Sequence, residues 1–454
     1  YEIGVRLVGS EMCIRDRTGL ACVVWLLTTT WLHCISRSDF YSLWSIYALA
    51  FATYSWLIFS RQSISLRDGL VLALVARQIS LFFDPLLSDD YYRFIWDGML
   101  MHEGVHPMAY TPSYLMQHPE IVSLNDALFS QLNSQNYYSV YPPVAQWIFR
   151  LSYEINGMHI GGHIVFYKVL LMATDAVIAY LLYHLLLLKK QPTQRVLWYA
   201  LNPLILLEFT GNLHMDGIMI AGLLGAVYLS DKKSIVWSSL LMAFSVLSKM
   251  LTLILIPFMP HQRYWKKMIL FSILSCSLSM LILYASFGSH TGWMESVRLW
   301  FVSFEFNASI YYLARELGYW IKGYNMIEKT GPILAMFTLC GIGLYWIRYI
   351  WKQRPDWSTA MLFVLTFYFF MATTVHPWYL ASLLCLGILS MRIYPMVWTF
   401  LVFLSYSHYE DGGFHENYFL IATEYILLVA WIILEWRTRK RQAKIYSTTP
   451  ASLD

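Results

Sequence analysis

Apolar residues occur along this chain in long runs that are separated by short polar segments. A helix needs roughly 20 apolar residues to cross the hydrocarbon core of a bilayer, and about 17 can suffice. Because most runs approach or exceed that length, the pattern predicts an all-α polytopic membrane protein with about 12–14 transmembrane helices. The runs lie near 19–36, 40–60, 66–83, 161–188, 194–210, 213–230, 234–260, 268–288, 331–350, 357–374, 378–391, 394–408 and 417–436.

One run, 234–260, is interrupted in its middle by Ser248 and Lys249. Basic residues flank it at both ends, at Lys232 and at Arg263, and such residues concentrate in cytoplasmic loops. A single span would put the two flanks on opposite sides of the membrane, and a lysine in its middle would cost about 3 kcal/mol or more. We therefore expect two short helices that reach the outer side and return, with Lys249 at the outer turn.

With this hairpin, the basic residues of the short loops face the cytoplasm and the longer polar segments face outward. The basic tail at 437–454 is then cytoplasmic. Within the outward segments, the apolar spacing predicts short amphipathic helices that lie on the membrane surface at 89–104 and at 293–304. The outward segments are 84–160, 289–330 and 409–416.

The composition agrees with a membrane protein. Apolar residues make up 58% of the chain and charged residues 13%, and the mean hydropathy is +0.49. Soluble domains carry about 45–50% apolar and about 25% charged residues. The basic residues behind the formal net charge of +4 stand mainly at helix ends, so we expect membrane lipids as partners and no nucleic acid. The six cysteines lack the spacing of a metal site.

Residues 1–17 differ in character from the rest of the chain. GSEMCIRDR, at 9–17, resembles translated sequencing-adapter read-through and does not resemble a signal peptide. We therefore expect 1–17 to be absent from the natural protein and 18–436 to form a single transmembrane domain.

Charged and aromatic side chains concentrate beside the bilayer, between 84 and 112. Charges next to hydrocarbon are costly, so a cluster of them indicates a functional site. On a helix Asp90, Arg93 and Asp97 would share one face. Alternatively, Asp89 and Asp90 begin a helix, and Asp90 and Arg93 form an ordinary surface pair. The candidate residues of this segment are Asp89, Asp90, Tyr92, Arg93, Asp97 and Tyr110.

Later motifs carry further polar residues that we expect at outer turns. Lys249 is the strongest candidate for contact with a phosphate. A charged lysine at a hairpin tip in the membrane is energetically costly, and this cost indicates a function. The alternatives are an interfacial anchor for Tyr141, an ordinary polar turn around His214, and an aromatic belt around His376. The candidates are Tyr141 in YPP, His214 and Asp216 in GNLHMDG, Lys249 in LSKM, and His376 in HPWY.

Two adjacent aspartates followed by a third seven positions later can supply oxygen ligands to Mg²⁺ or Mn²⁺. The stretch lacks an Asp-X-Asp triplet, however. We therefore expect no required metal, with Mg²⁺ or Mn²⁺ as the alternative.

The segment SDDYYRFIWDGMLMHEGVHPMAYTP resembles the first outer loop of bacterial GT-C fold glycosyltransferases. These mannosyltransferase-like enzymes use a polyprenyl-phosphate sugar and are related in plan to the eukaryotic mannosyltransferase that adds the first mannose of glycosylphosphatidylinositol. The resemblance runs from about residue 80 to 380, with Met108 and Leu213 departing from the family's tyrosine and glycine. Further matching pieces are YPPVAQ (141–146), LNPLILLEFTGNLHMDG (201–217), LSKM (247–250), FNASIYYLAREL (306–317) and HPWYL (376–380).

The resemblance implies a GT-C-like helical bundle whose catalytic outer loop is 84–142. It also implies transfer of a hexose, mannose in this family, from a polyprenyl-phosphate donor to a glycan or lipid acceptor. An inverting displacement needs one base, for which Asp90 or Asp89 is the candidate, while Asp97 would position the acceptor or a metal. Lys249 or Arg93 would neutralise the leaving phosphate.

Two other functions stay open at this point. A flippase or transporter of lipid-linked sugars would be expected to show repeat symmetry or charges across the membrane midplane. A cell-envelope polymer ligase would use Arg and His residues of the loop at 289–330. The polar residues gather at one membrane face instead, so we expect a glycosyltransferase of the bacterial inner membrane with a periplasmic active site.

Overall fold

A computed structural model of the chain describes residues 2–60, 63–122, 126–232, 234–260, 265–287, 292–351 and 356–448. The molecule is 78% helical. Within those ranges there is no strand, and β pairing is limited to an isolated parallel bridge between Phe306 and Thr374. The prediction of an all-α polytopic membrane protein is confirmed.

The α-helices follow one another along the chain and are numbered in that order. They are α1 Glu2–Leu32, α2 Phe40–Phe59, α3 Leu66–Ser80, α4 Asp90–His102, α5 Pro112–Gln117, α6 Asp126–Ser130, α7 Pro143–Asn156, α8 Ile160–Leu188, α9 Val196–Ala200, α10 Pro203–Ile205, α11 Asp216–Asp231, α12 Ile235–Ser248, α13 Trp265–Phe287, α14 Gly292–Val302, α15 Ile310–Lys322, α16 Ile327–Trp351, α17 Trp357–Met371, α18 Leu380–Leu389, α19 Tyr394–Leu401 and α20 Tyr418–Thr448. A π-helical turn spans Leu206–Gly211, and 3₁₀ segments span Thr193–Arg195, Met250–Phe258, Pro377–Tyr379 and Val402–Gly412.

Five of the described helices are long and apolar enough to cross a membrane, and they lie in α2, α8, α13, α16 and α20. A sixth crossing results if α10, the π-helical turn and α11 are counted as one bent span. Other apolar runs form shorter helices, such as α12 and α17. The estimate of about 12–14 spans counted those shorter runs and stays a prediction.

The region predicted as a straight span at 194–210 is broken. After α9 the chain continues as α10 and then as the π-helical turn. The break follows from Pro203, which lacks an N–H, and from Asn202, whose side chain caps α10 instead of continuing α9. The segment of α10 and the π-helical turn lies at 114° to α11.

The predicted interruption at Lys249 is present. α12 ends at Ser248, and Lys249 has extended backbone angles, with φ −161° and ψ 125°. The chain then continues as the 3₁₀ segment Met250–Phe258, which contains Pro257, and not as a second α-helix. A proline inside this segment removes one backbone donor, which disfavours regular α-helix.

The predicted helix at 89–104 exists as α4, but it does not lie exposed on a surface. Most of its side chains are buried, including Phe94 and Trp96 on different faces. α4 packs closely on α7 because Gly98 has no Cβ, and a Cβ there would stand 2.3 Å from the carbonyl oxygen of Phe149. The apolar stripe predicted one buried face, whereas tertiary packing buries α4 on nearly all sides. A helix is present at the second predicted position, 293–304, where α14 spans Gly292–Val302, and its placement on the membrane surface stays a prediction.

Polar contacts from inside the bundle fix the segment that leads into α4. The buried Lys168 of α8 donates to the carbonyl oxygens of Ser80 and Phe83, at the end of α3. Further on, the Leu87 N–H donates to Asn212 Oδ1 at 3.1 Å. Buried backbone groups outside helices need such partners, so these contacts determine where Asp89 and Asp90 stand.

Candidate active site

The structure gives the three aspartates of the first outer loop different surroundings. Asp89 Oδ2 accepts a hydrogen bond from Arg37 Nη2 at 2.6 Å, and both side chains are partly exposed. Asp90 accepts from Asn133 Nδ2 at 2.9 Å and is 30% exposed. Its other oxygen lies 3.9 Å from His214 Nε2. Among the described residues Asp90 forms no ion pair with a lysine or an arginine.

Asp97 is fully buried, and both of its carboxylate oxygens contact other side chains of the protein. Its Oδ1 pairs with Arg93 Nε at 2.8 Å, and its Oδ2 accepts from Ser139 Oγ and, at 3.0 Å, from Gln146 Nε2. Arg93 also donates to the carbonyl oxygens of Ser134 and Tyr137 at 3.1 and 3.0 Å. Asp97 and Arg93 therefore join α4 to α7 and to the loop before it, and neither stands at the surface.

The prediction that Asp90, Arg93 and Asp97 share one helix face holds for Arg93 and Asp97 but not for Asp90. Arg93 and Asp97 face the interior as an i, i+4 pair, while Asp90 turns toward Asn133 and His214. Because Asp90 is the first residue of α4, its side chain extends beyond the packed part of the helix. The surface pair between Asp90 and Arg93 is absent.

His214 is fixed by the π-helical turn. Its Nδ1 lies 3.1 Å from both the carbonyl oxygen and the Oε2 of Glu208. Glu208 is itself fully buried and accepts a hydrogen bond from Tyr406 OH, in the 3₁₀ segment Val402–Gly412. The π-helical turn adds a residue to the helical repeat, a feature that is frequent at functional sites. It directs His214 Nε2 toward Asp90.

Lys249 and Asp216 form a second charged pair beside Asp90. Lys249 Nζ donates to Asp216 Oδ1 at 2.6 Å and lies 3.6 Å above the centre of the Tyr379 ring. Burial lowers the pKa of Lys249, whereas the charges of Asp216 and Asp90 raise it. An ammonium has three donors, so Lys249 keeps hydrogens for a ligand after bonding Asp216. Its side chain is 28% exposed.

A row of stacked rings extends from His214 into the second outer loop. His214 and Trp378 stack with centroids 3.5 Å apart, Trp378 and His376 at 4.4 Å, and His376 and Phe306 at 4.5 Å. Burial lowers the pKa of His376 well below its usual range, and the charges of Lys249, His214 and His408 lower it further. His376 is therefore neutral near pH 7.

The three candidate tyrosines occupy different positions. Tyr141 packs edge-on against Phe94 of α4, and burial, followed by the charges of Asp90 and Asp97, raises its pKa. It therefore borders the aspartates as a protonated hydroxyl. Tyr92 contacts the Tyr91 ring, and Tyr110 stacks on Tyr114 in a separate part of the loop.

The residues thus fall into a central group and an outlying group. Asp90, Tyr141, His214, Asp216, Lys249 and His376 belong together by direct contact or by mutual electrostatic influence. The supporting or outlying candidates are Asp89, Asp97, Arg93, Tyr92 and Tyr110.

Sequence reasoning missed several residues that shape this site. Glu208 is one, and its carboxylate inside an apolar run was a usable signal, because such residues are expensive in a membrane. Asn133 and Arg37, by contrast, stand in polar segments whose pairing with Asp90 and Asp89 only the tertiary fold reveals.

The second outer loop is attached to the same site. Phe306 N donates to the carbonyl oxygen of Thr373 at 3.0 Å, and Val375 N donates to that of Phe306 at 2.8 Å. Asn307, which has a positive φ of 48°, donates through Nδ2 to the buried Glu424 of α20 at 3.1 Å. These bonds hold Phe306 against His376.

No group of three or more His, Cys, Asp or Glu side chains that could hold a metal ion occurs within the described ranges. The site offers a carboxylate, Asp90, that forms no ion pair with a lysine or an arginine among the described residues. It also offers a lysine ammonium within the electrostatic influence of Asp90 and a wall of stacked rings. Such a set can accept a proton, neutralise an anion and contact the apolar face of a ring.

Comparison with known proteins identifies a family. A family model described as alpha-(1->6)-mannopyranosyltransferase, N-terminal domain, of the MptA_B family, matches residues 16–263, which is more than half of the chain. No curated protein and no solved structure matches the chain. The matched region contains α4, the π-helical turn and Lys249, and it ends before the second outer loop.

We predict that Asp97→Asn destabilises the protein much more than Glu154→Gln does. Both variants remove the charge of an i, i+4 partner of an arginine, but Asp97 is buried and Glu154 is 40% exposed. Leaving Arg93 buried without its counter-ion should cost about 3–5 kcal/mol, against at most about 0.5 kcal/mol for the exposed pair. Thermal unfolding of the detergent-solubilised protein measures the difference, and equal shifts for the two variants would contradict it.

Proposed function

Because the chain belongs to the MptA_B family, described as alpha-(1->6)-mannopyranosyltransferase, we propose that it moves mannose from a polyprenyl-phosphate donor to an acceptor hydroxyl. The family makes the protein a mannosyltransferase with a sugar donor and an acceptor, and its apolar helices make it a multi-pass membrane protein. The lipid donor, the base and the stereochemistry are our proposal. A flippase or a polymer ligase is not favoured, since the matched family is one of mannosyltransferases.

The observation that carries the mechanism is the state of Asp90. A general base needs a carboxylate that can reach substrate and that no cation already occupies. Asp97 is buried and paired with Arg93, and Asp89 is paired with Arg37. Asp90 is 30% exposed, accepts a hydrogen bond from the neutral amide of Asn133, lies 3.9 Å from His214, and forms no ion pair with a lysine or an arginine among the described residues. We therefore assign Asp90 as the base.

In the proposed step, the oxygen of the acceptor hydroxyl forms a bond to C1 of mannose while Asp90 accepts the proton of that hydroxyl. The bond from C1 to the phosphate oxygen breaks, and polyprenyl phosphate leaves with the electron pair. A single displacement inverts C1. If this chain forms the α-(1→6) linkage named in the family description, its donor must carry a β-linked mannose, and the acceptor oxygen is O6.

Lys249 is the proposed partner of the leaving phosphate. It stands beside Asp216 and the Tyr379 ring and within the electrostatic influence of Asp90. A positioned cation in a partly dehydrated site acts strongly on charge that develops in the transition state. Arg93, the other sequence candidate, is buried in its pair with Asp97, so we give this role to Lys249 alone.

We expect Asp90→Asn to lower kcat/KM for transfer from polyprenyl-phosphate mannose by about 10²- to 10⁴-fold, since a general base contributes that much. Asp89→Asn should change kcat/KM by less than about tenfold, because it removes an exposed ion pair. Transfer of labelled mannose by purified protein in detergent measures both. The assignment is wrong if Asp90→Asn retains full turnover.

Lys249→Gln should reduce kcat by about 10²-fold or more, because the leaving phosphate loses its cation. Lys189 offers a matched control, since it pairs with Asp356 at 2.5 Å and lies 4.8 Å above the Trp357 ring. Lys189→Gln removes the same kinds of contact and should leave kcat nearly unchanged. Equal losses for the two variants would mean that Lys249 acts only in folding.

We further propose that the protein lies in a bacterial inner membrane with this site on the periplasmic side. The positive charge of Lys189 and Lys190 at the end of α8 supports that orientation. In a cysteine-free background, Glu103→Cys should react with an impermeant maleimide in intact spheroplasts. Lys190→Cys, also exposed, should react only after permeabilisation. The reverse pattern would overturn the orientation.

A further inference from the structure

Several buried polar atoms near the ring stack have no hydrogen-bond partner in the part of the chain that the structure describes. Both ring nitrogens of His408 and the Nδ1 of His376 belong to this set, as does Ser405 Oγ. His408 is fully buried. Buried polar groups are normally satisfied, so a concentration of unsatisfied ones beside a substrate site points to a ligand.

Two of these side chains, His376 and His408, pack against the same aromatic ring, Phe306. His376 stacks on Phe306 at 4.5 Å, and His408 meets the same ring edge-on at 5.1 Å. Ser405 and His408 are three residues apart in a 3₁₀ segment, a spacing that puts them on the same side of it. Phe306 is held by its backbone bonds to Thr373 and Val375, so the group is preorganised.

The charge state of the two histidines selects the chemistry of the ligand. Burial lowers the pKa of His408 to about 4 and that of His376 well below its usual range, so both rings are neutral at pH 7. A neutral imidazole has one donor and one acceptor, which is also what a hydroxyl group offers. A phosphate would be better served by cations, and Lys249 provides one nearby.

We propose that Phe306, His376, His408 and Ser405 form a subsite that binds the hydroxyl groups of the donor's mannosyl ring. This inference rests on the proposed function and adds the recognition of the transferred sugar to it. The donor ring is preferred over the acceptor because Lys249 and His376 both contact the Tyr379 ring, with Lys249 Nζ 3.6 Å above its centre and the His376 ring edge-on at 5.3 Å. The subsite therefore adjoins the phosphate, to which the donor sugar is covalently bound.

The test measures whether a hydroxyl group of the donor sugar and a ring nitrogen of His408 form a hydrogen bond. Polyprenyl-phosphate mannose and its 2-, 3-, 4- and 6-deoxy forms are used as donors, with octyl α-mannoside as acceptor. For the wild-type protein, at least one deoxy donor should lose about tenfold or more in kcat/KM relative to the parent donor. His408→Phe should be slower with the parent donor and should no longer discriminate against that deoxy donor.

Two further variants make the result interpretable. His376→Phe keeps the ring stack with Trp378 and Phe306 but removes the nitrogens, so it should also reduce discrimination, even if His408→Phe does not fold. His163→Phe is the control, because its ring nitrogens bond to Ser152 Oγ at 2.7 Å and to the Gly157 carbonyl oxygen at 2.8 Å. It should keep the full wild-type discrimination whatever its stability.

The outcomes separate the two proposals. If the wild-type protein transfers mannose and both phenylalanine variants keep its discrimination, the subsite is overturned and the proposed function stands. The same variants are also assayed with the parent donor and deoxy forms of octyl α-mannoside, and discrimination that changes only in this acceptor series would overturn the assignment to the donor. If the wild-type protein transfers no mannose from the parent donor, the proposed function fails, and the subsite fails with it.

Discussion

The buried ion pair of Arg93 and Asp97 is the contact on which the outer loop depends. Both groups are almost fully removed from water, and each is also hydrogen-bonded to other parts of the loop. Such a pair contributes little to the net free energy of folding. Removing one member leaves the other as a buried charge without a partner, so the arrangement favours a single geometry. It ties α4 to α7 and to the loop before it. The backbone of Asp90, one turn earlier, is therefore held in place, while its carboxylate forms no ion pair with a lysine or an arginine among the described residues.

Irregular helices supply the rest of the site. The π-helical turn Leu206–Gly211 presents His214 and anchors it through Glu208. The break after α12 presents Lys249, and the 3₁₀ segments at 377–379 and 402–412 present the ring stack and His408. Regular α-helix satisfies its backbone internally and turns its side chains to neighbours or lipid. Interrupting it at one level of the bundle lets polar side chains meet there.

Burial gives chemically similar groups different roles. Of three aspartates within nine residues, Asp89 forms a partly exposed pair with Arg37, Asp97 is buried against Arg93, and Asp90 accepts a hydrogen bond from the neutral amide of Asn133. Burial likewise keeps His376 and His408 neutral, while Lys249 pairs with Asp216. The proposed base, the proposed cation and the neutral hydrogen-bonding groups are therefore separate side chains, and Lys249 pairs with Asp216 instead of neutralising the proposed base.

The sequence alone determined that the chain is a helical membrane protein, because only hydrogen-bonded helices tolerate such long apolar runs in lipid. It also determined the break at Lys249 and the helix at α4, since charge cost and apolar spacing are local properties. Only the tertiary structure decided which partners Asp89, Asp90 and Asp97 have, because partners such as Arg37 and Asn133 are distant in sequence. The contact of His408 with Phe306 carried no local signal, because the two residues are about a hundred positions apart in the chain.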